Sequence, residues 1–352
     1  MGAGFGGVVV KDGKVTVIIA AYLRADVLTV TLESLFRQTY LNWRALVIAD
    51  CCPSEFRDQL QPLFDRIEFI NLPIRCGQQY GPNSVGIHLA KSEYIAFLNH
   101  DDIWLDDHLE RAIANLKDGN NDVFLGGAAL CHGVNQPAAP ERLLFSELNR
   151  PNALWCSLLG PNRFFEPASS WVIRTDLAKE VGFWQPPDKV AVTPVMDWLS
   201  RLACTPARFV FDNKVTVLKF NLHQGAGDAG GQQYRQRATW LPRLQRFLDN
   251  PSSQTREEIA SDLEQARDKG LLVREFMDGK PLVMTPGMKA QRDEFQYHRA
   301  AGLLPRLIKF KTEGLSGKSL AQTIVSMRTG EEINTFPSVE TVILQLESQS
   351  DF

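Results

Sequence analysis

Short apolar runs that alternate with amphipathic segments constrain this chain most strongly. Residues 15–21 (VTVIIAA) contain mostly β-branched and small apolar residues, which is typical of a strand buried on both faces. Three further runs of this kind follow at residues 44–49, 67–71 and 94–98. The segment after the first run repeats Leu28, Leu32 and Leu35 at helical spacing. Strand and helix therefore alternate, which predicts an α/β fold with a doubly wound, mostly parallel sheet and helices on both faces.

Polar residues ahead of the helical segments predict where helices begin. We expect Asp26 to cap the first helix and Asp106 to cap the helix that follows the fourth strand. Thr255 and Glu258 have the spacing of a capping box and predict a helix start later in the chain.

The character of the chain changes after about residue 225. Four glycines fall within seven residues there, and helical patterns follow them. We therefore expect an N-terminal tail at residues 1–13, an α/β domain at 14–225 and a mainly helical C-terminal extension at 226–352.

Composition excludes several classes of protein. The net charge of −3 gives no global positive field for nucleic acid. No apolar run is long enough to span a bilayer, and the first residues do not resemble a secretory signal, so we expect a cytoplasmic protein. Six cysteines without a C-x-x-C pair do not favour a zinc site. Residues 303–311 (LLPRLIKFK) predict either peripheral contact at the inner face of the membrane or a helix packed on the α/β domain.

Polar residues gather where two of the expected strands end. Asp50 follows the second strand, and residues 99–102 (NHDD) follow the fourth. Ligands of such sheets bind beyond the carboxyl ends of the strands. The adjacent carboxylates Asp101 and Asp102 repel each other unless positive charge is near. A divalent cation that bridges diphosphate oxygens would relieve this repulsion, but a solvated loop that caps the next helix fits equally well.

Two stretches carry a resemblance to a known family. They are KVTVIIAAYLRADVLTVTLESLFRQTYLNWRALVIADCCPS (residues 14–54) and SEYIAFLNHDDIWLDDHLE (residues 92–110). Over residues 14–220 the chain resembles the nucleotide-sugar domain of family 2 glycosyltransferases, which have the GT-A fold. The resemblance implies an inverting glycosyltransferase that moves a sugar from a UDP- or dTDP-sugar to a hydroxyl acceptor. The acceptor would be a glycan or a lipid-linked glycan in the synthesis of a surface polysaccharide.

The resemblance implies roles in holding the donor nucleotide. Tyr22 would pack on the base, and Asp50 would accept a hydrogen bond from it. The other implied nucleotide-binding residues are Ala20, Asn83, Asn99 and His100. The chain also departs from the family, since Asn99 stands at the first acid of the D-x-D motif and Ala49 stands where an Asp usually precedes Asp50.

The resemblance also implies a cofactor, Mn²⁺ or Mg²⁺. Asp101 occupies the metal position of the D-x-D motif, and Asp102 would assist it. His223 follows an expected strand, where several GT-A enzymes place a histidine near the metal. A lone histidine on a loop is more often structural, so both roles remain open for His223.

Residues 195–201 (VMDWLSR) resemble the family segment whose Asp is the general base, which here is Asp197. An acceptor hydroxyl loses its proton as it attacks, and one positioned carboxylate suffices to take it. The structural alternative is a helix N-terminus stabilised by the charge of Asp197. Arg201 lies one turn further on, where it either orients Asp197 or faces solvent.

Acceptor contacts are implied for three residues. Ser169 and Ser170 lie in residues 166–184, which resemble the acceptor-side strand and helix of the family. Trp198 either stacks on a sugar ring or fills the core.

Two other functions compete with this interpretation. The first is a nucleotide- or glycan-binding module that kept the fold and lost turnover, and the departures at Ala49 and Asn99 motivate it. The second is a nucleotidyltransferase, which would carry a Gly-rich, basic loop after the first strand. Residues 20–24 (AAYLR) contain one Arg and no Gly, which disfavours that class.

Overall fold

The computed structural model describes residues 14–132, 144–148, 167–190, 193–221, 241–268, 333 and 335–349. The predicted C-terminal domain boundary near residue 225, His223 and the basic segment at 303–311 all lie outside these ranges.

The strands of the described residues form one mixed sheet in the order β3-β2-β1-β4-β8-β6-β9-β5, with β7 paired to β6. The strands are β1 Val15–Ala21, β2 Trp43–Ala49, β3 Glu68–Asn71, β4 Tyr94–Phe97, β5 Ile103–Trp104, β6 Val123–His132, β7 Leu144–Leu148, β8 Trp171–Arg174 and β9 Phe209–Asn221. The pairs β3-β2, β2-β1 and β1-β4 are parallel, whereas β8 runs antiparallel to β4 and β6. The prediction of an α/β fold with a mostly parallel sheet of the GT-A type is confirmed in the half that carries the first four strands.

The first strand is apolar throughout because both of its faces are covered. Ile18 faces one core together with Tyr80 and Val85 of α3. Val17 and Ile19, on the opposite face, belong to a second core that contains residues of α1. Side chains alternate between the faces of a strand, so a strand buried on both faces needs apolar residues at every position.

Helices cover both faces of the sheet. Their bounds are α1 Ala25–Phe36, α2 Ser54–Leu60, α3 Tyr80–Leu89, α4 His108–Leu116, α5 Thr175–Val181, α6 Pro194–Ala203, α7 Leu241–Asp249, α8 Ser252–Asp268 and α9 Val339–Glu347. Among the described residues, no helix has both the length and the apolar character needed to cross a membrane.

The predicted helix caps at Asp26, Asp106 and Thr255 are wrong. Helix α1 begins after Arg24, which has a left-handed backbone, and Asp26 lies exposed in the first turn. Asp106 accepts a hydrogen bond from the hydroxyl of Ser252 instead of capping α4. Thr255 lies inside α8, which begins three residues earlier. The local capping signals therefore did not set the starts of these helices.

Helices from the C-terminal part of the chain pack on the α/β core. Arg37 of α1 donates to the carbonyl of Leu248 at 2.6 Å and pairs with Asp249 at 3.0 Å. Arg256 of α8 donates to the carbonyl of Val215 at 2.8 Å and pairs with Asp107. These bonds hold α7 against α1, and α8 against β9 and the residue before α4.

Candidate functional site

The carboxyl ends of β1, β2 and β4 meet at one edge of the sheet. Strand β1 ends beside β2, with Ala21 opposite Ala49, and the amide of Asp50 donates to the carbonyl of Ala21 at 2.8 Å. On its other side, β1 pairs with β4. The register therefore brings Tyr22, Asp50 and residues 99–102 to the same edge, as the sequence predicted.

The backbone at this edge adopts unusual conformations. Leu23 and Arg24 have φ values of 50° and 57°, and Cys51 has a φ of 54°. Non-glycine residues rarely take this left-handed conformation, and such residues cluster at functional sites. These residues directly follow Tyr22 and Asp50, two of the predicted site residues.

Asp50 is almost completely buried, and both of its carboxylate oxygens are hydrogen-bonded. The amide of Cys76 donates to Oδ1 at 2.6 Å, and the amide of Gly77 donates to Oδ2 at 2.7 Å. Burial raises the pKa of Asp50 from 3.8 to about 6, against the two amide bonds, which lower it. Each carboxylate oxygen has a second acceptor position, so Asp50 still has capacity for a donor N–H.

Arg75 lies over the ring of Tyr22, with the guanidinium carbon 3.5 Å from the ring centroid. This is close stacking of a cation on an aromatic face. Arg75 is not among the residues predicted from the sequence, because a single arginine in a loop carries no signal of its own. The pair fixes the orientation of Tyr22 and brings positive charge to the edge of the sheet.

The loop after β4 is tied to β1 and α1. Nδ1 of His100 lies 3.2 Å from the carbonyl oxygen of Ala20, and the hydroxyl of Thr31 donates to the carbonyl of His100 at 2.9 Å. Ala20 and His100, both predicted beside the nucleotide, are therefore in contact. Asn83 lies in the first turns of α3 with 2% exposure, and its Nδ2 has no hydrogen-bond partner among the described residues.

Asp102 is completely buried and faces the protein interior. Its Oδ2 accepts from the hydroxyl of Ser169 at 2.5 Å and from Nδ2 of Asn99 at 2.9 Å. Nζ of Lys219 lies 3.5 Å from its Oδ1. Burial raises the pKa of Asp102, and the charge of Lys219 opposes that rise. The expected role of Asp102 as a metal ligand therefore requires a correction, because an ammonium and two hydrogen bonds occupy its carboxylate.

Asp101 is the remaining acid of this cluster, and its side chain is partly exposed. No group of three or more His, Cys, Asp or Glu side chains is placed to hold a metal within the described ranges. Mg²⁺ commonly uses one or two protein carboxylates together with substrate phosphates and water. Asp101 fits a cation of that kind, whose other ligands would be pyrophosphate oxygens, and does not fit one held by protein alone.

Asp197 lies in the first turn of α6. The hydroxyl oxygen of Thr193 caps this helix by accepting from the amide of Met196 at 3.4 Å. Nε of Arg201 lies 2.9 Å from Oδ2 of Asp197, and its other nitrogens donate to the carbonyls of Val181 and Phe183. Of the two roles considered for Arg201, the structure therefore shows the orienting one.

The residues expected to contact the acceptor are buried. Trp198 is fully buried and stacks on Trp171, with ring centroids 5.9 Å apart, and its indole N–H donates to the carbonyl of Gly182. Ser169 holds Asp102, and the hydroxyl of buried Ser170 donates to the carbonyl of Pro167. The structure corrects the acceptor role of these three residues, since all of them face the core.

This core links α6, the helix that carries Asp197, to the strand edge. The Trp198 ring stacks on Trp171, which directly follows the Ser169–Ser170 turn, and that turn contacts Asn99 and Asp102. Lys219, which completes the cluster, was also missed from the sequence. It lies 117 residues from Asp102, and a lysine within a strand gives no indication of its partner.

Comparisons with known proteins find similarity over the first half of the chain. Residues 16–182 match the family model described as glycosyl transferase family 2. The Escherichia coli protein named UDP-Glc:alpha-D-GlcNAc-diphosphoundecaprenol beta-1,3-glucosyltransferase WfgD is 26% identical over 149 residues, which are 41% of this chain and 58% of WfgD. The putative teichuronic acid biosynthesis glycosyltransferase TuaG of Bacillus subtilis (strain 168) is 26% identical over 150 residues, which are 40% of this chain and 59% of TuaG.

The succinoglycan biosynthesis protein ExoW of Rhizobium meliloti (strain 1021) is 33% identical over 118 residues, covering 32% of this chain and 36% of ExoW. The matched part thus spans less than two thirds of each of these relatives. Among solved structures, S. aureus TarS 1-349 in complex with UDP-GlcNAc aligns with a TM-score of 0.47 at 16% identity, over 88% of this chain and 92% of that one.

Proposed function

We propose, from the premise that the chain belongs to glycosyltransferase family 2 through residues 16–182, that it transfers a sugar from a nucleotide diphosphate to a hydroxyl acceptor with inversion. In this proposal, residues 14–225 form the catalytic domain, 226–352 the mainly helical extension and 1–13 a tail. The observation that carries it is the meeting of Tyr22, Asp50 and Asp101 at the ends of adjoining strands, while Asp197 is held separately by Arg201.

The donor nucleotide would lie across the ends of β1 and β2. Tyr22, held by Arg75, offers an aromatic face to the base, and Asp50 accepts from a base N–H. Uracil and thymine present an N–H between two carbonyls, which suits a carboxylate acceptor, so UDP- or dTDP-sugars are the proposed donors. Asn83 contributes a buried amide N–H that needs an acceptor, and a ribose or phosphate oxygen would supply it.

The pyrophosphate would lie beside the loop that follows β4. Asp101 would hold Mn²⁺ or Mg²⁺ there, together with phosphate oxygens. The cation would supply positive charge for the departing diphosphate. Asn99 and Asp102 would keep this loop in place, since Asn99 Nδ2 and the Ser169 hydroxyl both bond to the buried Asp102 carboxylate.

Asp197 is proposed as the general base. Its carboxylate is partly exposed, and Arg201, one helical turn further along α6, fixes its orientation through an ion pair. A carboxylate fixed in this way can accept the acceptor's proton while that hydroxyl attacks the face of the sugar opposite the leaving diphosphate. The acceptor is proposed to be a glycan or lipid-linked glycan, in keeping with the names of WfgD and TuaG.

A thermal-shift panel tests the donor half of the proposal. The full chain would be heated with UDP-, dTDP-, GDP- and CMP-sugars, each with and without Mn²⁺. A ligand that binds the native state stabilises it by mass action. We expect stabilisation by a uridine or thymidine diphosphate sugar, enlarged by Mn²⁺. Stabilisation by none of the four would overturn the proposal.

A binding module that lost turnover is the competing function, and Asn99 favours it because an amide replaces an acid of the D-x-D motif. The two are separated by the release of free nucleotide from the donor that stabilises the protein. Slow release of nucleotide from that donor, accelerated by glycan acceptors that receive the sugar, supports the transferase. Tight binding without release of nucleotide under any acceptor would favour the module.

A further inference from the structure

The end of the described chain packs against helix α3. We name Ile333 together with residues 335–349 the C-terminal strap; it contains α9 (Val339–Glu347). One face of α9 is buried in the core that also contains Leu72, Cys76 and Tyr80. The residues of that buried face are Val339, Val342, Ile343 and Leu346. Leu344, on the other face, is 67% exposed.

Direct contacts tie the strap to helix α3. The hydroxyl of Tyr80 donates to the carbonyl of Pro337 at 2.7 Å, and the ring of Phe336 meets the Tyr80 ring edge-on. At the far end of α3, Nε2 of His88 lies 3.2 Å from a carboxylate oxygen of Glu347. The strap is therefore fixed along α3 at both ends.

Ile333 extends the strap to the turn before α3. The position that a Cβ would occupy on Gly77 lies 2.1 Å from Cδ1 of Ile333, so the Ile333 side chain fills the space beside the Gly77 backbone. Gly77 has a φ of +72°, a conformation that glycine adopts without steric cost. Ile333 thus packs directly on the left-handed backbone of Gly77, a conformation that is unfavourable for residues with a Cβ atom.

That turn holds Asp50. The amides of Cys76 and Gly77 are the two donors to the Asp50 carboxylate, and Tyr80 begins the helix that carries Asn83. The strap consequently contacts the turn that holds Asp50 and the helix that carries Asn83, both proposed to contact the nucleotide. It follows these elements by about 250 residues in sequence.

We propose that the C-terminal strap is a positioning element for the donor nucleotide, with Ile333 as the positioning residue that holds the Cys76–Gly77 turn and thereby the carboxylate of Asp50. This inference rests on the proposed function. Residues 72–79 lie outside helix and strand, so their order depends on tertiary contacts. A site held ready in its bound conformation binds more tightly, because less ordering is required when the ligand arrives.

The test compares Ile333→Ala with Leu344→Ala in the full chain. Both remove aliphatic atoms from the strap, but Leu344 is exposed on the face of α9 opposite the buried one. Hydrogen exchange would follow the Cys76 and Gly77 amides without any ligand. Calorimetry would give the Kd for the donor nucleotide that the thermal-shift panel identifies, and initial rates would separate donor KM from kcat.

We expect faster exchange of the two amides in Ile333→Ala and a rise of about threefold to thirtyfold in nucleotide Kd and donor KM, with kcat nearly unchanged. Leu344→Ala should match the wild type, and Ile333→Val, which removes only the Cδ1 atom that packs beside Gly77, should show part of the loss of affinity. Tyr80→Phe, which removes only the hydroxyl that bonds Pro337, should act in the same direction and serves as the second variant should Ile333→Ala fold poorly.

Unchanged exchange in Ile333→Ala and Tyr80→Phe would overturn the proposal, because the strap would then not hold the turn. Faster exchange with unchanged nucleotide Kd would overturn it as well, because the turn would then not matter for the donor. A wild-type chain that binds no nucleotide would instead overturn the proposed function and the inference with it, and the exchange data would tell this outcome from the first.

Discussion

The ammonium of Lys219 lies 3.5 Å from the carboxylate of Asp102, which is completely buried. Strand β9 supplies the lysine and the loop after β4 supplies the acid, so the pair joins two distant parts of the chain. The same carboxylate orders Asn99 and Ser169. The Asp102 carboxylate would be costly to bury alone. With Lys219 as its counter-charge, it holds together the loop that carries Asp101.

Removal of this ammonium should destabilise the fold. Lys219→Met leaves Asp102 buried without its counter-charge, which we expect to lower the free energy of unfolding by about 3 kcal/mol at pH 7. Urea unfolding followed by circular dichroism measures the change. Lys214→Met, an exposed lysine on the same strand, is the control and should lie within about 0.5 kcal/mol of the wild type. Equal stability of the two variants would mean that the pair contributes nothing.

Asp101 should govern the response to Mn²⁺. In Asp101→Asn the carboxylate is lost while the buried network around Asp102 stays intact. We expect the Mn²⁺-dependent affinity for UDP to fall at least about tenfold, the loss typical when even an outer partner of a metal ligand is removed. Isothermal calorimetry with and without Mn²⁺ measures it, with the exposed Asp118→Asn as control. Wild-type affinity of Asp101→Asn in Mn²⁺ would exclude Asp101 as the ligand.

The affinity for a pyrimidine base should depend on the ionisation of Asp50. Its pKa of about 6 means that the carboxylate gains a proton as the pH falls below that value and can then accept less well from a base N–H. We expect uridine, which does not titrate in this range, to bind about tenfold more weakly at pH 5 than at pH 8. NMR titration measures this dependence. A flat affinity across that range would remove Asp50 from the base contact.

Stability should fall in mild acid because of His108. The ring is fully buried, with Nδ1 2.9 Å from the Thr216 hydroxyl, and burial lowers its pKa from 6.5 to about 3. The unfolded chain takes up this proton below about pH 6.5 and the folded protein only near pH 3. The contribution of neutral His108 to stability is therefore fully present above pH 6.5 and is lost as the pH falls from 6.5 towards about 3. The free energy of unfolding falls by at most about 1.4 kcal/mol per pH unit in this window.

Urea unfolding of His108→Gln at pH 7, 6, 5 and 4 isolates this contribution, because the carboxyl groups are common to both proteins. The pH slope of His108→Gln should be smaller than that of the wild type. Identical slopes for the two proteins would show that His108 takes no part in the acid loss of stability.

The sequence predicted the strands and the edge at which their carboxyl ends meet, because burial on both faces leaves a continuous apolar run. The places of Asp50 and Asp101 follow from that pattern, whereas Tyr22 follows from the resemblance to family 2 glycosyltransferases. Arg75, the partner of Tyr22, and Lys219, the partner of Asp102, could not be predicted, because a single residue in a loop or strand does not encode its tertiary contacts. The acceptor roles of Ser169 and Trp198 depended on exposure, which the sequence does not report.

The C-terminal strap carries a helical signal in its sequence. Val339, Val342, Ile343 and Leu346 recur at helical spacing after Ser338, whose hydroxyl oxygen accepts from the amide of Thr341 at 3.2 Å. That pattern predicts an amphipathic helix with one buried face. It does not say that this face packs on α3, since helix partners depend on the fold of the whole domain.

Turnover by Asp197→Asn tests the central claim most directly, because it separates the pocket for the donor from the base for the acceptor. UDP affinity by calorimetry and nucleotide release from the donor would be measured together, with the exposed Asp188→Asn as control. We predict unchanged UDP affinity and a fall in kcat of about a hundredfold to ten thousandfold, the usual contribution of a general base. Turnover by Asp197→Asn at the wild-type rate would contradict the assignment of Asp197 as the base that activates the acceptor.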